Sequence, residues 1–355
     1  MAMLGRHRCL AVPEVCWWYP RFRRHLHTYG DLARPENFRT LAEEMIFGLK
    51  TPFWGMPVNP RTIVDEIVSR TAAPTFVEIV RAMLERYAEQ VGRPRWGEKT
   101  PHNVYFVPEI AGDFPDARFV HLVRDGRDVA AEQLRSAFGP RNVYAAALLW
   151  RQTMAAGLGA RAEVPPTRWL DVRYETLVAE PEAELRRILG FLEEEFDPAV
   201  LRPEESEIAR RRAETRDHRP LGRPISTDYV GLFRRHLSLY DQGLFAGVAG
   251  GLLREHGYGV DVEPIFLDDA EAARALELDG RIRAATLDAP DGHIAYESYN
   301  DWLVDQREER RRRGLWAGAS TVAWNDELVS GQRAPRLWKD HFAIKRRYRG
   351  EGRVL

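Results

Sequence analysis

Residues 117–128 decide the fold, and they run Ala117-Arg118-Phe119-Val120-His121-Leu122-Val123-Arg124-Asp125-Gly126-Arg127-Asp128. The first seven residues are mostly apolar and include two valines, which is typical of a buried strand. Arg124 and Asp125 lead from this strand, through Gly126, into a helical pattern from Val129 to Ser136. A strand, turn and helix in this order form the building block of parallel sheets, so we predict an α/β fold.

Two arginines lie at the junction between the predicted strand and the predicted helix. Ligands of open α/β sheets bind outside the carboxyl ends of the strands. The helix that starts there offers unpaired N–H groups and the positive end of its dipole. Arg124 and Arg127 would add guanidinium donors whose planar shape suits a phosphate. The alternative is that Asp125 or Asp128 caps the helix while the arginines pair with surface acids.

Three further segments carry side chains suited to group transfer. Lys99 lies in the turn Glu-Lys-Thr-Pro, where an ammonium group could neutralise a developing charge. Glu14 follows a short apolar run that ends at Pro13, and apolar walls would favour its use as a general base. Tyr174 lies where a second predicted strand, residues 168–172, meets a helix, and it could stack on a base. Taken singly, a solvated lysine, an exposed glutamate and a packed tyrosine explain these segments as well.

The composition of the chain limits its possible partners. The 355 residues include 52 Lys and Arg against 53 Asp and Glu, so the formal net charge is −1. This balance argues against binding to bulk nucleic acid or to a membrane surface. Cys9 and Cys16 are too few for a disulfide framework and lack metal-site spacing, so we expect no metal and a cytoplasmic location. No apolar run reaches the roughly 18 residues of a membrane span, so we expect no transmembrane segment.

The end of the chain differs in character from the rest. It is rich in tryptophan, and basic clusters occupy residues 310–313 and 345–347. Acidic residues alternate with the first cluster, which is typical of a solvated helix face, and a partner-binding patch is the alternative. We expect one domain over residues 1–260 and a C-terminal extension over residues 261–355 to which no role is assigned.

Together these segments resemble the bacterial sulfotransferases that use 3′-phosphoadenosine-5′-phosphosulfate (PAPS). The resemblance rests on the order and spacing of the Glu-Lys-Thr-Pro turn, of residues 114–131 and of the stretch Val-Arg-Tyr-Glu-Thr-Leu-Val from Val172. Residues 230–238 and 251–258 resemble that family's Gly-x-Trp-Lys/Arg segment and closing helix. The resemblance implies a P-loop-like parallel sheet flanked by helices. It also implies transfer of a sulfuryl group from PAPS to a hydroxyl of a small molecule, carbohydrate or lipid.

The resemblance implies a set of nucleotide contacts. Arg124 matches the arginine that holds the 3′-phosphate of the donor, and Arg127 lies one helical turn further along. Arg234 matches a basic residue close to the same phosphate. Tyr174 matches a position near the adenine. The spent donor, adenosine 3′,5′-bisphosphate (PAP), would bind through the same four residues.

Two catalytic residues are also implied by the resemblance. Glu14 matches the position at which members that act on carbohydrates carry a catalytic glutamate, which takes the proton of the acceptor hydroxyl. Lys99 matches the lysine near the bridging oxygen of the leaving phosphosulfate. Because lysine and arginine would neutralise the leaving group, the resemblance implies no metal.

Two features depart from the family pattern. The family's Pro-Arg-Ser-Gly-Thr-Thr-like loop, whose N–H groups cradle the 5′-phosphosulfate, has no counterpart here, because residues 3–8 resemble the end of the following helix. We expect either a true start further upstream or a real loss of the loop. Glu132 stands where the family has a serine, and its carboxylate would repel a phosphate by about 4 kcal/mol at about 4 Å. It escapes this repulsion if it turns away or pairs with Arg127 or Arg135.

Two functions therefore stay open, an active sulfotransferase or an inactive protein of the same fold that acts as a binding or scaffold module. A P-loop kinase is disfavoured, because the pattern Gly-x-x-x-x-Gly-Lys-Ser/Thr is absent from the sequence. The acceptor and the oligomeric state cannot be predicted. A pocket lining and core packing explain one group of aromatic residues equally well, namely Trp17, Trp18, Tyr19, Phe53 and Trp54.

Overall fold

The computed structural model describes residues 1–47, 52–55, 58–71, 73–136, 139–214, 216–287, 303 and 306–315. The chain divides into two compact units, of which the first contains Met1–Phe106 and Asp288–Leu355 and the second contains Val107–Leu287. The domain boundary near residue 260 stays a prediction. The basic cluster at residues 345–347 lies outside the described residues.

The first unit surrounds a short pair of parallel strands with helices. Strand β1 (Leu10–Ala11) pairs with β2 (Arg95–Trp96), and Leu10 lies opposite Arg95. The α-helices before residue 107 are α1 (Trp18–Phe22), α2 (Pro35–Phe47), α3 (Pro60–Arg70) and α4 (Phe76–Gln90). Short 3-10 helices cover Leu4–Arg6, Arg23–Tyr29, Pro52–Gly55 and Pro101–Phe106.

Helix α4 illustrates how the sequence specifies these elements. The Thr75 side chain caps its start by accepting a hydrogen bond from the backbone N–H of Glu78. Apolar residues at spacings of three and four then form one buried face, which includes Ile79, Met83 and Tyr87. Burial of this face stabilises the helix more than its intrinsic propensity does.

The second unit contains the other pair of parallel strands, β3 (Phe119–Val123) and β4 (Trp169–Arg173). Its helices are α5 (Val107–Asp113), α6 (Gly126–Gln133), α7 (Val143–Glu163), α8 (Tyr174–Ala179), α9 (Pro181–Phe191), α10 (Glu207–Ala213), α11 (Phe233–His236), α12 (Leu239–Glu255) and α13 (Asp269–Leu287). Short 3-10 helices cover Pro166–Arg168, Pro198–Leu201, Pro203–Glu205 and Arg216–Gly222.

The predicted α/β class with parallel strands is confirmed, and the element bounds shift by a few residues. Strand β3 begins at Phe119 rather than at residue 117, and β4 ends one residue later than predicted, at Arg173. Helix α6 begins at Gly126, three residues earlier than the apolar pattern suggests, because Asp125 caps it. Over the described ranges, no helix combines the length and the apolar character that crossing a bilayer requires.

The core of the second unit fixes the start of α6. Trp150 from α7 and Phe245 from α12 are both buried, and their ring centroids lie 5.9 Å apart. A Cβ atom added to Gly126 would lie 2.4 Å from the Trp150 ring and 2.6 Å from the Phe245 ring. Glycine is therefore required at this position, because only a residue without a side chain lets the helix start approach both rings.

We expect Gly126→Ala to lower the free energy of unfolding by about 1–3 kcal/mol, since the two rings must move to admit a methyl group. Gly190→Ala is the matched control, because nothing lies within 4 Å of a Cβ atom added to this helical glycine. The control should leave stability unchanged or raise it by up to about 1 kcal/mol. Urea denaturation of both variants measures the difference, and equal midpoints would contradict the close packing.

The basic cluster at residues 310–313 is only partly solvated. Arg310 Nη2 donates to Glu44 Oε1 at 2.6 Å, and its guanidinium carbon lies 4.2 Å from the ring centroid of Tyr29. Arg307 is buried as well and donates to the backbone oxygen of Arg21. Residues 311–313 are exposed. The expectation of a fully solvated helix face is therefore wrong on the side that carries Arg307 and Arg310.

Candidate functional site

The turn between β3 and α6 is held by the acid that follows Arg124. Asp125 Oδ1 accepts the backbone N–H of Arg127 at 2.9 Å and so caps α6. The same carboxylate accepts two side-chain hydrogen bonds from Arg127, at 3.0 Å from Nε and 2.7 Å from Nη2. Of the two candidate caps, Asp125 is therefore the residue that caps the helix. Arg127 is buried in this pair, so a phosphate could reach it only by exchanging with Asp125.

Arg124 lies at the carboxyl end of β3, and three neighbours fix its side chain. Nη1 donates to Glu132 Oε2 at 2.6 Å, and Nη2 donates to the backbone oxygen of Tyr229 at 2.7 Å. The guanidinium carbon lies 4.5 Å from the ring centroid of Tyr174. The side chain is only 14% exposed. The predicted neighbourhood of Arg124 and Tyr174 is therefore present in the second unit.

The guanidinium of Arg124 keeps donor capacity that its neighbours do not use. Its Nε atom is buried and has no hydrogen-bond partner among the described residues. Burial alone would lower the pKa of Arg124, but the hydrogen bond and the charge of Glu132 outweigh it and raise the pKa. The group therefore stays a permanent cation with an unsatisfied donor, which is chemistry that suits an anionic ligand.

Glu132 is the acid that pairs with Arg124. The sequence leaves open that it rotates away from the site or pairs with Arg127 or Arg135, and the structure contradicts both pairings. Arg127 is held by Asp125, and Arg135 Nη1 lies 3.0 Å from His236 Nε2. The side chain of Glu132 is 42% exposed, so it can leave Arg124 for water.

Asp128 anchors the segment that precedes α11. Its carboxylate is buried and accepts the backbone N–H groups of Gly231 at 2.8 Å and Phe233 at 2.9 Å. Burial raises the pKa of Asp128, although these two hydrogen bonds act in the opposite direction. Gly231 has a φ of 73°, a left-handed conformation that favours glycine. The anchor places the exposed Arg234 at the start of α11 and brings the Tyr229 carbonyl to Arg124.

The carboxyl end of β4 joins the same junction. Tyr174 begins α8, and burial raises the pKa of its hydroxyl although Arg124 acts to lower it. The next residue, Glu175, accepts the backbone N–H of Asp125 at 2.9 Å and the hydroxyl of Tyr258 at 3.1 Å. Glu175 therefore links the ends of β3 and β4 and holds the Arg124–Asp125 peptide in place.

The first unit carries Glu14 and Lys99 at one edge of its strand pair. Glu14 follows β1 and Lys99 follows β2, and the carboxyl ends of parallel strands meet at the same edge of a sheet. Glu14 is buried, whereas Lys99 is exposed. Lysines occupy only positions 50, 99, 339 and 345 of the sequence, so Lys99 is the only lysine among the described residues.

Thr100 ties the two loops of this edge together. Its hydroxyl oxygen accepts the backbone N–H groups of Cys16 at 3.1 Å and Trp17 at 3.2 Å, and it donates to Glu98 Oε1 at 2.5 Å. Trp17 adopts a left-handed backbone with a φ of 59°, which is uncommon for a residue with a side chain. The hydroxyl therefore fixes the turn after Glu14 relative to the turn that carries Lys99.

The groups around this edge are desolvated. Burial raises the pKa of Glu98 and raises the pKa of the Cys16 thiol well above its usual value. Burial lowers the pKa of His102 to about 4, and its ring centroid lies 4.4 Å from that of Trp17. Trp18, Tyr19 and Trp54 are core residues, whereas the side chain of Phe53 lies outside the described residues.

The sequence identifies some members of each site and misses others. The structure brings Arg124 next to Tyr174 in the second unit, and it places Glu14 and Lys99 at one strand edge of the first. Asp128, Glu175 and Thr100 were not predicted as site residues. Each one lies beside a predicted residue in the sequence, and each makes its contact with a distant segment.

Comparison with known proteins identifies the relatives of this chain. Residues 1–198 match the family model described as "Sulfotransferase family", and this range contains all the predicted site residues except Arg234. A mycobacterial omega-hydroxy-beta-dihydromenaquinone-9 sulfotransferase, from Mycobacterium tuberculosis, is 27% identical over 171 residues, which cover 41% of this chain and 42% of the relative. A protein-tyrosine sulfotransferase of Drosophila melanogaster is 26% identical over 162 residues, which cover 44% of this chain and 31% of the relative.

The chain spans about half the length, or less, of the curated relatives it matches. Among solved structures, the sulfotransferase domain of the Synechococcus PCC 7002 olefin synthase matches with a TM-score of 0.47 and 18% identity. That match covers 78% of this chain and 87% of the other.

Proposed function

Since the chain belongs to the sulfotransferase family, we propose that it transfers a sulfuryl group from PAPS to a hydroxyl of a small molecule, carbohydrate or lipid. The observation that carries this proposal is Arg124, a desolvated guanidinium where β3 gives way to α6, whose buried Nε finds no hydrogen-bond partner in the described part of the chain. This is the position at which α/β proteins bind phosphates. The predicted cytoplasmic location belongs to the same proposal.

Arg124, Tyr174 and Arg234 bind the nucleotide end of the donor in this proposal. Arg124 donates to the ribose phosphate, and Tyr174, whose ring already packs against this guanidinium, stacks near the base. Arg234 adds a second cation from the segment that Asp128 anchors. Arg127 acts mainly through Asp125, because their buried ion pair shapes the start of α6.

Glu14 and Lys99 carry out the transfer chemistry in this proposal. The bound donor provides an activated sulfur. Glu14 takes the proton of the acceptor hydroxyl while that oxygen forms its new bond to sulfur. Lys99 neutralises the charge that develops on the bridging oxygen as the old S–O bond breaks and PAP leaves. In this proposal, side chains of the protein neutralise the developing charge, and no metal ion takes part.

Two features of the first unit support these roles. Glu14 is buried, so bulk water does not compete with an acceptor hydroxyl for its carboxylate. The cations of this chain are almost all arginines, yet an ammonium stands at position 99. Lysine concentrates its charge on one atom and suits a single oxygen, whereas arginine suits the paired oxygens of a phosphate.

A hydroxyl acceptor agrees with the names of two relatives. One relative is named for protein tyrosine, whose side chain carries a phenolic hydroxyl, and the other is named for an omega-hydroxy menaquinone derivative. The chain matches less than half of each of these proteins. We therefore carry over only the hydroxyl class, without a choice between these two acceptors.

A second candidate function is a binding or scaffold module without activity. The observation that favours it is the ion pair between Glu132 and Arg124. The Glu132 carboxylate occupies Nη1 of Arg124, a donor that the proposed nucleotide contact would use. A module of this kind would fold normally but would transfer no sulfuryl group.

One experiment separates the two functions. The full chain is incubated with isotope-labelled PAPS and with acceptors that carry phenolic, sugar or lipid alcohol hydroxyls. We expect labelled product and released PAP for at least one acceptor class, and loss of both in a folded Glu14→Gln variant. Glu182→Gln, a change in an exposed acid of α9, is the control that should keep the activity. A failure to transfer label to every acceptor class would favour the inactive module.

A further inference from the structure

Glu132 and Arg124 form an ion pair at the proposed nucleotide site. The contact between Nη1 and Oε2 measures 2.6 Å, which is short for a charge-assisted hydrogen bond. Tyr174 covers the guanidinium from one side, and the Tyr229 carbonyl holds Nη2. The carboxylate of Glu132 therefore already occupies the guanidinium at which an anionic ligand would bind.

A phosphate that arrives at this guanidinium meets a competitor. It must displace Glu132, or it must lie beside a carboxylate of the same sign of charge. Displacing Glu132 breaks an existing ion pair. Binding beside Glu132 adds repulsion between two anions in a partly desolvated site. Either course weakens binding of a phosphate at this point.

A ribose hydroxyl at the same guanidinium is not repelled by Glu132, because it carries no charge. It can donate a hydrogen bond to the carboxylate of Glu132 without displacing the carboxylate from Arg124. Dinucleotide-binding proteins use this chemistry, since an acid recognises a ribose hydroxyl while an arginine accommodates a ribose phosphate. The Arg124–Glu132 pair combines both recognition groups at one position.

On the basis of the proposed function, we infer that Glu132 determines the ribose specificity of the donor site. It makes the chain accept adenosine 5′-phosphosulfates that carry a free 3′-hydroxyl, and it weakens selection for the 3′-phosphate of PAPS. With such a donor the same S–O bonds form and break, Glu14 takes the same proton, and the leaving nucleotide is AMP instead of PAP. Arg124 serves both donors, and Glu132 sets their ratio.

The test compares two nucleotides that differ only in the 3′-phosphate. Calorimetry gives the dissociation constants of PAP and AMP for the full wild-type chain and for Glu132→Ser and Glu132→Gln. Both variants remove the charge, and the second also keeps the shape of the side chain. We expect the preference for PAP over AMP to increase by about 10-fold to 100-fold in each variant, the size expected for regaining a charged hydrogen bond to phosphate.

Glu182→Ser is the matched control for this measurement. Glu182 also pairs with an arginine at 2.7 Å, and that arginine, Arg186, also packs on an aromatic ring, since its guanidinium carbon lies 3.8 Å from the Phe196 ring centroid. The control should leave the preference unchanged.

Each outcome has a defined meaning. A preference that is the same in the wild type and in both Glu132 variants, with both nucleotides bound, overturns the inference and leaves the proposed function standing. A failure of all the proteins, shown to be folded by circular dichroism, to bind either nucleotide contradicts the proposed function and the inference together.

Discussion

Replacing Arg124 by alanine is expected to weaken the binding of PAP by about 100-fold, because two charge-assisted hydrogen bonds to phosphate are lost. The loss is limited by the ion pair with Glu132, which the wild type must give up before it binds the phosphate. Arg124→Lys should recover only part of the affinity, since an ammonium cannot donate two parallel hydrogen bonds. Calorimetric titration with PAP measures the effect.

Arg186→Ala is the control for this prediction. Arg186 is paired with a glutamate and packed on an aromatic ring as Arg124 is, but it lies on α9. We expect no change in PAP affinity for this variant. A double-mutant cycle with Glu132→Ser adds a second check, because Arg124→Ala should have a larger effect once the competing carboxylate is gone. Unchanged PAP affinity in a folded Arg124→Ala protein would contradict the assignment.

Replacing Lys99 by methionine is expected to lower kcat by about 100-fold to 1,000-fold, the effect typical of removing one donor to a developing negative charge. PAP affinity should change much less, because the ammonium interacts with charge that develops mainly during transfer. Lys99 is exposed and methionine has a similar length, so we expect the fold to be kept. Steady-state kinetics and PAP calorimetry on the same preparation separate the two quantities.

Lys99→Arg is the conservative variant for this position. It keeps the positive charge but spreads it over a planar group, so we expect kcat between those of the wild type and of Lys99→Met. A methionine variant that keeps kcat within a factor of about 3 of the wild type would contradict the assigned role. Equal losses in PAP affinity and in kcat would instead assign Lys99 to nucleotide binding.

The local chemistry of the sequence predicts the β3–α6 junction well. Apolar residues up to Val123 followed by Arg-Asp-Gly-Arg-Asp indicate where the strand ends. Asp125, one of the two candidate capping residues, caps the helix, which begins three residues earlier than the apolar pattern suggests. Tyr174 is placed correctly because it starts a helix after the neighbouring strand. These features depend on residues that are close in sequence, so spacing and propensity are enough to predict them.

Contacts between distant segments could not be predicted in the same way. Asp128 accepts hydrogen bonds from Gly231 and Phe233, and Thr100 accepts hydrogen bonds from Cys16 and Trp17. No periodicity in the sequence encodes these pairings, because the packed fold sets them. The partner of Glu132 was missed for a related reason, since its contact with Arg124 joins residues that are 8 positions apart, on a strand end and on a helix.

The most direct test of the central claim is a crystal structure of the full chain grown with saturating PAP. We predict that the ribose phosphate lies at the end of β3, with an Arg124 nitrogen about 2.7–2.9 Å from a phosphate oxygen and with Glu132 displaced from the guanidinium. A structure in which PAP binds elsewhere while Arg124 stays paired with Glu132 would contradict the account.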